Sequence, residues 1–343
     1  MPKYQWFTKI LLQWDRTAND RDMPWKDIKD PYKIWLSEII LQQTRVEQGR
    51  DYYLKLTQKY PTIEQLAAAD QQSLYADWQG LGYYNRCRNM HETAQLVSQE
   101  YKGKFPRTYQ DIRALKGVGD YTAAAIASFA FNLPYAVVDG NVVRVLSRIF
   151  GLDHNFYTTE GKSFFQNLAQ SVLDKADPAK YNQAMMDFGA TVCTPKSPVC
   201  SLCPFHSKCM AFKDKAIDKY PVKKSKKPLK IRYFHFVIHR KAKKIRIIKR
   251  IGNDIWRNLY ILPFIETEST NPPVISAKKA WNEPTDVIEQ VLSHQKIIGS
   301  FYENIVLPET ESKENGLYVS KDELRQYGFP KLIISFFQKN NYL

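Results

Sequence analysis

Cys193, Cys200, Cys203 and Cys209 stand at the spacing C-x6-C-x2-C-x5-C, and no other feature narrows the possible folds of this chain as much. Four soft thiolates so close together can surround one metal centre, because the three gaps let the backbone wind round it with every sulfur pointing inward. A pair of disulfides is disfavoured, since the chain reads as having no secretory leader and the odd fifth cysteine, Cys87, stands alone in a helical stretch. Zinc sites with four cysteines usually come as two close C-x2-C pairs, whereas only Cys200 and Cys203 are so paired here. The spacing therefore favours an iron–sulfur cluster over zinc without settling the matter.

The 343 residues suffice for two domains, and a hydrophobic content of 44% can fill an ordinary core in each. Residues Met1 to Trp14 hold only short apolar runs, and the most apolar stretch, Ala123 to Val138, is interrupted by Asn132 and Pro134. The expectation is a soluble, cytoplasmic protein with no membrane partner. Lys and Arg exceed Asp and Glu by fifteen, which makes a polyanion the natural partner, bound with an affinity that falls steeply with salt.

From Tyr4 to about Ala211 apolar residues recur at three and four positions, as in Ile34, Leu36, Ile39, Ile40 and Leu41, and predict a mostly helical part. Lys219 to Lys230 then holds six lysines and two prolines, the composition of a solvated linker. Three regions follow: a helical domain over 1–217 with the cysteine loop at 193–209, a basic linker over 218–231, and a second domain over 232–343. In the last, Arg232 to Arg240 and Lys244 to Ile251 read as a β-hairpin opening a mixed α/β domain, and Pro284 to Leu292 as a short helix.

Leu115-Lys116-Gly117-Val118-Gly119-Asp120-Tyr121-Thr122 separates two helical patterns. Two glycines flanking one apolar residue allow a tight turn with outward-facing amides, and the helix that starts there adds its own, a site for a phosphate. A plain joint between helices explains the same residues. Glu38 lies in a predicted helix among Ile34, Trp35, Ile39 and Leu41, where partial desolvation would raise its pKa; an exposed glutamate on a helix flank is the plainer reading. Asp139 follows extended residues and precedes Gly140 and a helix, so it reads as an N-cap whose ionised form the helix dipole favours.

The hairpin, the run Val138-Asp139-Gly140-Asn141-Val142-Val143-Arg144-Val145-Leu146 and the four cysteines together resemble the helix-hairpin-helix DNA glycosylases of the endonuclease III superfamily. Ser37-Glu38-Ile39-Ile40-Leu41-Gln42-Gln43-Thr44-Arg45-Val46 and Gln79-Gly80-Leu81-Gly82-Tyr83-Tyr84-Asn85-Arg86 are similar to its MutY branch, the adenine DNA glycosylases. That resemblance covers nearly all of residues 4–212. It implies two helical halves holding DNA across a cleft, one [4Fe-4S] cluster per chain on Cys193, Cys200, Cys203 and Cys209, and removal of adenine mispaired with 8-oxoguanine or guanine. A monomer in the bacterial cytosol and nucleoid is expected.

Carried over residue by residue, the resemblance makes Glu38 the general acid that protonates adenine at N7. Asp139 becomes the anion that stabilises the sugar cation, with Asn141 and Tyr121 holding the aspartate and the sugar or water. Bifunctional relatives carry a nucleophilic lysine just after the hairpin, where Tyr121 stands; tyrosine cannot form a Schiff base, and Lys116 is displaced from that slot, so base removal without efficient strand cleavage is expected. Extrusion of the base falls to Gln42, Gln43 and Tyr83, with Thr44 and Arg45 in the same run and phosphate contacts from Gly117, Val118, Gly119, Tyr121 and Thr122. Residues 232–343 weakly resemble a Nudix-like domain without the hydrolase box, in which Leu292, Ser293 and His294 match a Phe-Ser-His loop that recognises 8-oxoguanine. Two rivals remain: a pyrimidine glycosylase with lyase activity, and a non-catalytic iron–sulfur DNA-binding protein.

Overall fold

The computed structural model describes residues 4–225, 228–252, 254–273, 281–303, 305 and 316–343. The chain divides into two compact units, Met1–Ala67 with Glu92–Ser225, and Ala68–His91 with Lys226–Leu343. In chain order the helices of the first 213 residues are α1 (Gln5–Ala18), α2 (Pro31–Leu41), α3 (Val46–Lys59), α4 (Ile63–Ala67), α5 (Gln71–Asp77) and α6 (Tyr84–Glu100), then α7 (Tyr109–Ala114), α8 (Asp120–Phe131), α9 (Gly140–Phe150), α10 (Thr159–Val172), α11 (Pro178–Thr191) and α12 (Met210–Lys213). The division between the units falls within α6. Among the described residues no helix is long and apolar enough to cross a membrane.

The core of the first unit forms around α9, which is buried from Val142 to Ile149 and ends at Gly151 in the left-handed conformation. Phe7 and Leu11 of α1, Phe165 of α10 and Phe188 of α11 close round it. Phe205, from the cysteine loop, joins this core with its ring 4.9 Å from Phe7 and 5.3 Å from Phe188. α8 offers a run of small side chains, Ala123 to Ala127 with only Ile126 among them large, so α2 and α11 can approach it closely.

The second unit carries two sheets. In the first, β1 (Lys230–Ile238) lies between β5 (Phe264–Thr267), antiparallel to it, and β7 (Gln295–Glu303), parallel to it, with β6 (Asp286–Val291) on the far side of β7. In the second, β3 (Lys244–Lys249) pairs with β2 (Arg240–Lys241), β4 (Tyr260–Ile261) and β8 (Gly316–Ser320). Helix α13 (Lys331–Lys339) packs its apolar side on the first sheet, Phe336 stacking on Phe301 at 4.0 Å.

Three sequence expectations are corrected here. Pro284 to Leu292 is not a helix: Asp286–Val291 is an edge strand, and Val287, Ile288 and Val291, which mimic a helical face, are β-branched residues on alternating sides of the sheet. The chain does turn back at Ala242, but of the residues before that turn only Arg240 and Lys241 form ladder pairs with β3, His239 O adding a bond from the Arg246 N–H at 2.9 Å, because β1 is committed to β5 and β7 in the other sheet. The lysine-rich segment is not solvated from end to end. Tyr220 packs on the helical core and β1 begins at Lys230, while most of the other described residues of 218–231 are exposed; Lys226 and Lys227 lie outside the described residues.

Candidate active site

Asp30 starts α2 by accepting N–H bonds from Tyr32 at 2.9 Å and Lys33 at 3.4 Å, with Pro31 as its first residue. Packing against α3 and α8 then buries α2 almost all round, including Glu38, which is 6% exposed. Burial pushes the Glu38 carboxyl from its ordinary value up to about 7; a hydrogen bond from Tyr121 opposes this, and the charge of Asp139 adds to it. The Tyr121 hydroxyl also lies 3.7 Å from Met186 Sδ.

Asp139 is the N-cap of α9, accepting the Val142 N–H on Oδ1 at 2.8 Å and the Asn141 side-chain N–H on Oδ2 at 2.7 Å. A helix N-terminus alone would lower its pKa. The net direction is upward instead, because desolvation outweighs those two bonds and the charge of Arg144. Asn141 is held in turn: its Oδ1 accepts from Arg144 Nη2 at 2.7 Å, and the same guanidinium donates to Gly189 O at 2.6 Å and Cys193 O at 2.7 Å. A Cβ at Gly189 would come within 2.6 Å of Asn141 Cβ, so α11 can approach α9 at this point only with glycine there.

Glu38, Tyr121, Asp139 and Asn141 line one cavity of about 540 Å³, with Trp25, Leu41 and Met186 among its apolar walls. One wall is braced by groups that no local pattern announces. Asp187 is fully buried and accepts from Arg21 at 2.8 Å, Asn19 at 3.1 Å and Gln183 at 2.9 Å, with Lys26 Nζ 3.3 Å away. Lys26 also donates to Arg21 O and Lys29 to Phe129 O, whereas Lys116 pairs with Glu92 and is not part of the wall.

In the hairpin, the Val118 N–H turns back to Leu115 O at 3.1 Å and its side chain is buried; Arg113 pins the turn through Val118 O and the Asp120 carboxylate. Thr122 is buried too, its hydroxyl facing Gln42 Nε2 at 3.5 Å. Gly117 and Gly119 are exposed, and the first turn of α8 has no capping side chain, so its amides are available to a ligand. In the turn after α2, Thr44 lines the cavity and Gln43 and Arg45 are exposed. Tyr83, 41% exposed, belongs to the second unit. So do Leu292, Ser293 and His294, which form the turn between β6 and β7 with Ser293 Oγ 3.2 Å from His294 Nδ1.

All four cysteines of the loop line one small cavity of about 20 Å³ between α9 and α11. Arg148 lies 3.6 Å from Cys193 Sγ and donates to Thr194 O and Pro195 O, while Cys209 Sγ donates to Arg148 O at 3.3 Å. Burial pushes the Cys203 thiol up to about 12, and the other three cysteines add to that shift. Among the described residues no three His, Cys, Asp or Glu side chains form a group that could hold a metal ion.

Residues 36–170 match the model of the HhH-GPD superfamily base excision DNA repair proteins. The adenine DNA glycosylase of Buchnera aphidicola subsp. Schizaphis graminum is 35% identical over 264 residues, which cover 76% of this chain and 76% of that protein. A thermostable thymine-DNA glycosylase superposes with a TM-score of 0.57 at 31% identity, over 62% of this chain and 97% of its own. Endonuclease III, trapped covalently on DNA, shares the fold with a TM-score of 0.54 at 22% identity, over 63% of this chain and 99% of its own. With its carboxylate pair on a shared cavity and a relative alike over three quarters of both lengths, the chain belongs to the adenine DNA glycosylase family.

Proposed function

We propose that the protein is a monofunctional adenine DNA glycosylase of base excision repair, acting on duplex DNA with adenine opposite 8-oxoguanine or guanine. The observation that carries this reading is the convergence of Glu38, Tyr121 and Asp139 on one cavity. Glu38 is in two protonation states near neutrality and can give its proton to N7 of an extruded adenine. As the glycosidic bond breaks, positive charge grows on the sugar, and the Asp139 carboxylate, fixed by Val142 and Asn141, stabilises it until water adds. Adenine and an abasic site result. The exposed glycines of the hairpin and the uncapped first turn of α8 suit a DNA phosphate, and the exposed Ser293 and His294 offer polar edges to 8-oxoguanine in a Nudix-like domain.

The deciding experiment is single-turnover incubation with a duplex bearing adenine opposite 8-oxoguanine, each time point split between mild denaturation and hot alkali. Breaks only after alkali are expected. Breaks without alkali would indicate lyase chemistry, for which Lys26, Lys29 and Lys180 are the amines on the cavity wall. No breaks in either arm would overturn the reading in favour of another substrate or a binding role.

We further infer that Cys193, Cys200, Cys203 and Cys209 hold a [4Fe-4S] cluster. The four thiols do not as they stand form a group that could hold a metal ion, but they line one cavity within reach of the Arg148 guanidinium, and thiolates are the donors that such a cluster takes. Bound there, the cluster would cross-link the loop of residues 193–209 and so hold the Cys193 carbonyl that Arg144 grips. Anaerobically purified protein should contain about four irons and four sulfides per chain. Zinc without sulfide would refute the cluster.

A further inference from the structure

Residues Gln79–Tyr83 carry a strained backbone: Gly80, Gly82 and Tyr83 all have positive φ, at 102°, 70° and 48°. Tyrosine rarely adopts that conformation, and it persists only where surrounding contacts over-determine it. Two side chains are among those that supply such contacts here. Trp78 Nε1 donates to Gly82 O at 3.0 Å. Arg86 Nη2 donates to the same oxygen at 3.3 Å and to Leu81 O at 3.2 Å. The Arg86 guanidinium also stands 5.6 Å from the centre of the Tyr83 ring and 5.3 Å from that of Trp78, within range of cation–π attraction to both. The Arg86 backbone N–H donates to Tyr83 O at 2.8 Å, and the arginine that grips the turn lies in the first turn of α6.

We propose that Arg86 is a positioning residue for Tyr83, holding the ring outward in the conformation from which it enters a base stack. The proposal deepens the functional reading above and rests on Tyr83 being the wedge. One guanidinium nitrogen, Nη2, binds two successive carbonyls while the planar group lies beside the ring, which fixes both the backbone and the aromatic; lysine can supply the charge and a donor but not the plane that lies against the ring. Without the clamp, the glycine-rich segment relaxes, and the ring has to be ordered at the moment of insertion. The loss then falls on extrusion of the base and not on bond cleavage.

The test is a double-mutant cycle in the full chain with Arg86→Met and Tyr83→Ala, read by single-turnover excision of adenine opposite 8-oxoguanine. A 2-aminopurine beside the target reports unstacking. Arg86→Met is expected to slow excision roughly tenfold and to weaken the 2-aminopurine signal, yet to change the rate less than about twofold when Tyr83 is already alanine. Arg86→Lys should fall between wild type and Arg86→Met. Losses that multiply, or an Arg86→Met enzyme as fast as wild type, would overturn the proposal. If Arg86→Met shows no thermal transition, the same cycle is run on Arg86→Lys. An inactive wild type would remove the functional reading and this proposal with it. An active wild type indifferent to Tyr83→Ala would remove the wedge alone, and the Arg86 proposal with it.

Discussion

Glu38→Gln is expected to lose adenine excision by about a thousandfold under single turnover while gaining thermal stability in mild alkali. Glutamine keeps the shape and an oxygen for Tyr121, but has no proton to give. The wild-type rate should fall as pH rises through about 7, where Glu38 ionises. Between pH 6 and 8 the protonated fraction drops from roughly 0.91 to roughly 0.09, so the rate falls about tenfold. Stability has the same sign. Because the carboxyl titrates higher folded than in an unfolded chain, the stability it contributes is fully present in acid and is lost as pH rises through about 7. Glutamine escapes that loss. At pH 8 the variant should be more stable than wild type by something of the order of 3 kcal/mol, and at pH 4 by almost nothing. Rate profiles and melting curves across this range check both halves. A flat profile between pH 6 and 8, or an active glutamine variant, would be incompatible with Glu38 as the acid.

Asp139→Asn separates capping from chemistry. Asparagine caps helices about as well as aspartate, so the bond from Val142 survives. The charge does not, and excision should fall at least about a hundredfold with binding to the duplex retained. The lost bond to Asn141 costs about 1–2 kcal/mol, and removal of a desolvated charge offsets part or all of it, so the net change in stability should be small. The Asn141 amide donates to Asp139 Oδ2, where asparagine would present a second amide, and Asn141 cannot simply turn over because its own oxygen accepts from Arg144. Loss of DNA binding in step with activity would count against the assigned role.

What could be read from the sequence was whatever lies in a short, chemically marked run. Glu38, Asp139 and the four cysteines each stand in one, and the structure brings the first two to one cavity and the cysteines to another. Asp187 could not be found that way, since its partners Arg21 and Lys26 are more than 150 positions away in the chain. Arg144 stood inside a recognised run, but its link to Cys193 depends on how α9 and α11 pack. The helical part has a period that repeats over many turns. Asp286–Val291 has only six residues, and over so short a stretch helical and alternating patterns overlap; edge position and β-branching decide it.

The second unit is assembled from pieces that a ribosome makes at very different times. Residues 68–91 emerge early, while the strands they fold with come from the last third of the chain. Tyr84, at the start of α6, donates to Phe329 O at 3.1 Å, and its ring meets that of Tyr75 edge-on at 5.8 Å. Until Phe329 is synthesised, that hydroxyl must wait in water or on a chaperone. A protease cut in the lysine-rich stretch would likewise not separate two finished modules, because it would leave residues 68–91 on a fragment stripped of the strands they fold with.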